Sequence, residues 1–262
     1  MHRFPAVTAL CAAAALAVVL IPSPALTQEP GNVPETKAPA PPPPNAWEIE
    51  HQRQLREDWP WLAKFRDADA KLGDPAPGEK RVVFMGDSIT EAWKIEGPNG
   101  SFPGKPYVNR GISGQTAPQM VLRFRQDAID LKPKVVLILA GTNDIAGNTG
   151  VESPEAIEGY IASMAELASS NGIKVILCSI LPAYDYPWKP GLEPAPKILA
   201  INAWLKDYAA KHHHIYLDYH AAMKDQRNGL PANLSKDGVH PLPAGYAIMA
   251  PLAEAAIEKA LR

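Results

Sequence analysis

Four short polar stretches hold residue types that could do chemistry together. Gly86-Asp87-Ser88 follows the apolar run Arg81-Val82-Val83-Phe84-Met85. The others are Asn109-Arg110-Gly111-Ile112-Ser113-Gly114, Gly141-Thr142-Asn143-Asp144 and Asp237-Gly238-Val239-His240-Pro241. Any one of them reads as ordinary turn chemistry. Jointly they supply what nucleophilic attack by serine needs. A serine hydroxyl is a weak nucleophile until a base takes its proton. Asp237 lies three residues before His240 in a short loop, so it can hold one ring nitrogen and leave the other to face Ser88. The reaction also needs donors for a developing oxyanion. Candidates are the backbone N–H of Ser88, the backbone N–H of Gly114 and the side-chain amide of Asn143.

The other histidines fit that role less well. His2 lies in the first segment, and His51 lies in an N-terminal arm. His212-His213-His214 close a helix, where imidazoles favour the carbonyl end of the dipole. Three consecutive histidines do not converge easily on one ion. The proposed chemistry calls for no metal or cofactor.

These loops need a scaffold. Short apolar runs occur at Val82–Met85, Tyr107–Asn109, Val135–Ala140, Val175–Ile180 and Ile215–Leu217. They do not alternate, which marks strands buried on both faces. Longer helix-patterned stretches separate them. One spans 117–130, opened by a capping-box pattern at Thr116 and Gln119. Another spans 154–170, opened by Ser153-Pro154. Two more span 195–211 and 243–261. Helical connections imply parallel neighbours. The expected fold is α/β, a three-layer doubly wound sandwich of about five parallel strands. In such sheets ligands sit beyond the carboxyl ends of the strands, where the polar loops fall.

The blocks GDSIT, NRGISGQT, GTND and DGVHP together resemble the four motif blocks of the SGNH (GDSL-type) hydrolases. The resemblance covers about residues 80–260. It varies after Ser88, at Ile89-Thr90, outside the chemical positions. The resemblance implies a flavodoxin-like SGNH fold, with Ser88 as nucleophile and Asp237 and His240 completing the triad. It makes Ser88, Gly114 and Asn143 the oxyanion hole. GDSITEAW with GTNDIAGNTG looks most like the platelet-activating-factor acetylhydrolase-like and carbohydrate acetylesterase-like branch.

The chain has 262 residues, 46% of them hydrophobic and 21% charged, with a formal net charge of −2. No basic field is present to attract nucleic acid. Residues 1–25 have a short basic start, an apolar stretch and small residues near Ser23-Pro24-Ala25, the layout of a secretory signal peptide. Pro22 and Pro24 cut the apolar stretch below a membrane span. The expected location is periplasmic or secreted, with no stable membrane insertion after cleavage. Residues 26–45 are proline-rich and read as an extended tether. Residues 46–78 read as a helical arm with Leu55, Trp59, Leu62 and Phe65 at helical spacing, broken near Asp58 by Pro60. Residues 79–262 form the hydrolase domain. Of the two cysteines, Cys11 goes with the leader, and Cys178 reads as a small buried residue.

The loop from Leu181 to Gly191 follows the fourth strand onto the same rim. Its Tyr184, Tyr186 and Trp188, with Trp93, are the candidate substrate-binding residues. Stiff aromatic loops suit sugar rings and apolar acyl chains alike. The expected function is a short-chain esterase acting on a small-molecule or glycan ester, with O-acetyl carbohydrate preferred. Alternatives are a lysophospholipase or thioesterase-type acyl hydrolase and, from another class, a non-catalytic carbohydrate-binding module. Oligomeric state is open.

Overall fold

The computed structural model describes residues 43–262. The leader and most of the tether therefore lie outside the described residues. The sheet comprises β1 (Val82–Gly86), β2 (Tyr107–Gly111), β3 (Val135–Leu139), β4 (Lys174–Cys178) and β5 (Ile215–Leu217). All pairings are parallel, in the order β2-β1-β3-β4-β5. This is the doubly wound α/β arrangement that the uniform apolar runs require.

Alternation inside those runs builds two cores, one on each face. Val83 and Met85 of β1, Val136 and Ile138 of β3, and Val175 and Leu177 of β4 enter one core. It also takes residues from α4 (Ala117–Asp127), α6 (Pro154–Ser170) and α7 (Ala195–Lys211). Val82, Phe84, Val135, Leu137, Ile176 and Cys178 enter the other, against α8 (Tyr219–Met223) and α9 (Pro243–Ala260). Residues that alternate in direction along a strand must find apolar partners on both sides.

Local signals hold the helix starts. The Ser153 hydroxyl accepts from the Ala156 N–H at the head of α6. The Gln119 side chain accepts from the Thr116 N–H at the head of α4 at 3.0 Å. Two four-residue helices, α3 (Ser88–Glu91) and α5 (Thr142–Ile145), begin where β1 and β3 end. They are too short to leave a periodic pattern.

The arm breaks near Asp58, as Pro60 implies, so the stripe of apolar residues is split. Helix α1 (Ala46–Glu57) stops at Asp58, and α2 (Arg66–Leu72) begins after a run of turns. The Asp58 carboxylate accepts from the Leu62 N–H at 2.8 Å and the Ala63 N–H at 2.9 Å. With Pro60 this folds the chain back, so Trp59, Leu62 and Phe65 do not share a helix with Leu55. The arm belongs to the same compact unit as the sheet, residues 44–262.

Candidate active site

Strand β1 delivers Ser88 to the rim. Gly86 is level with Gly111 of β2 and Leu139 of β3, so three loops leave the sheet at one height. A Cβ on Gly86 would overlap the Thr90 side chain and sit 3.1 Å from the Leu139 carbonyl oxygen. Glycine is what lets α3 begin so close to the strand. Asp87 caps that helix, its Oδ1 accepting from the Ile89 N–H at 2.9 Å. Burial pushes the Asp87 carboxyl up to about 6, against the opposing pull of the Ile89 N–H and of His240. Ser88, the first helical residue, is left partly open.

His240 arrives from the other end of the chain, in the loop before α9. Its Nε2 is 2.9 Å from Ser88 Oγ, and its Nδ1 is 2.6 Å from Asp237 Oδ2. An ionised carboxylate can only accept, so the neutral ring carries its proton on Nδ1. The lone pair on Nε2 then faces the serine hydroxyl. The second Asp237 oxygen accepts from Ser235 Oγ at 2.9 Å and from the N–H groups of Val239 (3.0 Å) and His240 (2.8 Å). Partial burial raises the Asp237 carboxyl, but these hydrogen bonds, led by His240, outweigh it and hold it well below the usual carboxylate range. Asp237 is therefore charged at neutral pH, as an orienting acid needs to be.

The remaining loops bring amide groups to the same place. Gly114 has φ +77°, a conformation that favours glycine. Asn143 is buried at the start of α5. Its Nδ2 donates to the Gln115 carbonyl at 3.0 Å and, more weakly, to Asp87 Oδ2 at 3.4 Å. Its Oδ1 accepts from Asn148 Nδ2 at 2.9 Å, which fixes the amide's orientation. Beside it, Asp144 Oδ1 accepts from the Ala117 N–H at 2.8 Å and pins the head of α4. Burial pushes the Asp144 carboxyl up to about 7, against the pull of that N–H. The fully buried Arg123 ties the rim together from below. It donates to the Gly86 carbonyl at 3.0 Å, the Arg110 carbonyl at 2.9 Å and Gln115 Oε1 at 2.5 Å, and pairs with Asp127 at 2.9 Å.

Ser88, Gly114, Asn143 and His240 line one open cavity of about 480 Å³. Of the four aromatic candidates, only Trp188 joins them. Its indole is 40% exposed, lies 6.1 Å from the His240 ring and donates to Asn148 Oδ1 at 3.2 Å. Tyr186 is fully buried and stacks under Trp188 at 5.1 Å, a support rather than a contact surface. Tyr184 is half-exposed but turns to Arg227, whose guanidinium lies 4.5 Å from its ring. Trp93 departs furthest from its expected place on the rim. It is 3% exposed, packed among Phe84, Phe102 and Tyr246, with its N–H on Ser101 Oγ at 2.8 Å. A five-residue step along α3 and the turn after it carries that ring off the rim and into the core.

The cavity has one wall from an unexpected source. His51, Gln52 and Leu55 of α1 line it. His51 lies so close to Gly114 that a Cβ there would meet its Cε1 at 3.3 Å. Burial lowers the His51 pKa. The available signal was the four-residue spacing of His51 and Leu55, which puts them on one helix face. That spacing does not say what the face covers.

A family model described as the GDSL-like Lipase/Acylhydrolase family matches residues 84–248, more than half of the chain. The chain belongs to this family. With the GDSL-like acylhydrolases, it is a carboxylic ester hydrolase. The solved structure of a GDSL-like lipase from Bacteroides thetaiotaomicron is 45% identical, with a TM-score of 0.74. The match covers 78% of this chain and 100% of that one. An acetylxylan esterase of Geobacillus stearothermophilus is 28% identical over 203 residues, covering 66% of this chain and 91% of that protein. The lipoprotein YqeF of Bacillus subtilis is 34% identical over 115 residues; the match spans 42% of this chain and 47% of that relative. The five-stranded parallel sheet is the SGNH, flavodoxin-like architecture of these acylhydrolases. Among the described residues, no group of three or more His, Cys, Asp or Glu could hold a metal ion. No helix among them is long and apolar enough to cross a membrane.

Proposed function

We propose that this chain is an exported serine esterase that removes short acyl groups, chiefly acetyl, from carbohydrates. The observation that carries the reading is the hydrogen-bonded line Asp237–His240–Ser88, at 2.6 and 2.9 Å, opening into a cavity with Gly114 and Asn143 beside it. Ser88 Oγ attacks the ester carbonyl carbon while His240 Nε2 takes its proton. The imidazolium so formed is stabilised by the charged Asp237. The carbonyl oxygen becomes an oxyanion held by the N–H groups of Ser88 and Gly114 and by Asn143 Nδ2. For Asn143 the oxyanion replaces the long 3.4 Å contact to Asp87. His240 then returns the proton to the departing alcohol. A water, deprotonated by the same ring, releases the acid and restores Ser88.

Two features support the substrate class. The relative from Geobacillus stearothermophilus is named an acetylxylan esterase. Trp188 presents an exposed ring next to His240, where the alcohol half of the ester leaves; a sugar can stack there. The leader and tether, with the similarity to a lipoprotein, support export to the periplasm or beyond. The test is a substrate panel with Ser88→Ala as control: acetylated xylo-oligosaccharides, p-nitrophenyl esters of rising acyl length, and a lysophospholipid. Acetate release from the glycans and a maximum at short acyl groups are expected. A maximum at long acyl chains or on the lysophospholipid would contradict the reading.

A further inference from the structure

We infer that helix α1 of the N-terminal arm is the acyl-side wall of the active site, and that His51 and Leu55 set the length of acyl group accepted. The inference rests on the esterase reading of Ser88. Its first support is placement: both side chains line the Ser88 cavity, and the His51 ring lies against Gly114, the loop that would hold the oxyanion. Direction is the second. The departing alcohol has to lie within hydrogen-bond reach of His240 Nε2 to receive its proton. That assigns the alcohol to the side of His240 and Trp188. With the oxyanion turned toward Gly114 and Asn143, the acyl substituent points away from His240, toward the α1 face.

A wall can select only if it is held in place, and the arm is stitched down by side-chain amides. Gln119 Nε2 donates to the Trp59 carbonyl at 2.6 Å, Gln115 Nε2 to the Pro60 carbonyl at 2.7 Å, and Gln126 Nε2 to the Leu62 carbonyl at 2.7 Å. Gln54, within α1, donates to the carbonyls of Asp58 and Trp59 at 2.7 and 2.9 Å. Lys64 pairs with Glu91 at 3.1 Å, and Glu91 accepts from the Ser113 N–H at 2.9 Å, one residue before Gly114. Gln115 also takes the Asn143 amide on its backbone carbonyl. The segment that carries α1 and the loop that carries the oxyanion donors are thus fixed to the same residues.

The experiment compares kcat/KM for p-nitrophenyl acetate, butyrate and hexanoate in the full chain and in His51→Ala, Leu55→Ala, the double variant and His51→Trp. One methylene against a fitted wall discriminates by roughly tenfold or more. The wild type is expected to lose at least about that factor from acetate to hexanoate. The double variant should raise the hexanoate-to-acetate ratio by roughly tenfold or more, and His51→Trp should lower the butyrate-to-acetate ratio. If the double variant does not fold, His51→Trp and Leu55→Ala decide by their opposite shifts in the same ratios. A wild type that prefers acetate, with ratios unmoved in every folded variant, overturns the wall alone. A wild type that hydrolyses none of these esters overturns the esterase reading and the wall with it.

Discussion

Histidines gather at both ends of this sheet, and the two ends behave differently. At the carboxyl end, His240 meets Asp237 at 2.6 Å and Ser88 at 2.9 Å, partners supplied by its own loop and by a strand end more than 150 residues away. At the amino end, His212 and His214 pack on Tyr208, at 4.1 and 6.1 Å between ring centres, around the last turn of α7. His213 takes a left-handed backbone conformation, φ +58°, that turns the chain into β5. His212 and His214 also stack on each other at 6.1 Å, so these two of the triplet form a ring stack on one tyrosine rather than a hydrogen-bonded relay. The single histidine converges on partners because the loop before α9 meets the end of β1 on the same rim. Density of reactive side chains along a chain is a poor guide to chemistry; convergence of separate elements is a good one.

The largest test of that contrast is substitution at each end. Ser88→Ala and His240→Ala should each cost about 10⁴- to 10⁶-fold in kcat with the fold intact by circular dichroism. Asp237→Asn should cost less than His240→Ala, on the order of 10⁴-fold, because an imidazole without its orienting partner still has a basic nitrogen. The reverse ranking in steady-state kinetics would break the assignment of roles. Asn143→Ala should lower kcat by about 10²–10³ with a smaller change in KM, as for loss of one oxyanion donor.

A subtler test uses the buried carboxyls of the rim. The Asp144 pKa is raised to about 7 by burial, with the Ala117 N–H opposing, so the folded protein keeps this proton where the unfolded chain, near 3.9, has lost it. Stability from this group is therefore lost as pH rises from about 4 to about 7. Asp87 acts in the same direction up to about 6. Asp237 has the opposite sign, contributing above the ordinary carboxylate range and losing that contribution only in acid. Melting temperatures between pH 5 and 8 should fall less steeply in Asp144→Asn than in the wild type. Smallest of all, His212→Ala with His214→Ala should leave kcat/KM within about twofold, a surface change away from the cavity. Treatment with a chelator should leave it equally unmoved, because the proposed proton and acyl transfers use only side chains and water.

The sequence alone determined the scaffold and singled out the candidate reacting groups. Uniform apolar runs specify strands buried on both faces, Ser153-Pro154 and Thr116 with Gln119 specify helix starts, and short polar stretches mark the loops where those strands end. Each is a local property, decided by backbone sterics and by which side chains avoid water. The tertiary structure alone decided what each buried or exposed face meets. Trp93 and Trp188 are the same residue type, one in the segment after β1 and one in the loop after β4, yet one fills the core and the other flanks His240. His51 and Leu55 announce a helix face, but only the turn at Asp58 and Pro60, with the glutamine bonds that hold the segment after it, brings that face onto the cavity. Periodicity records that a side chain has a partner; the identity of the partner depends on contacts distant in the chain, which no local pattern encodes.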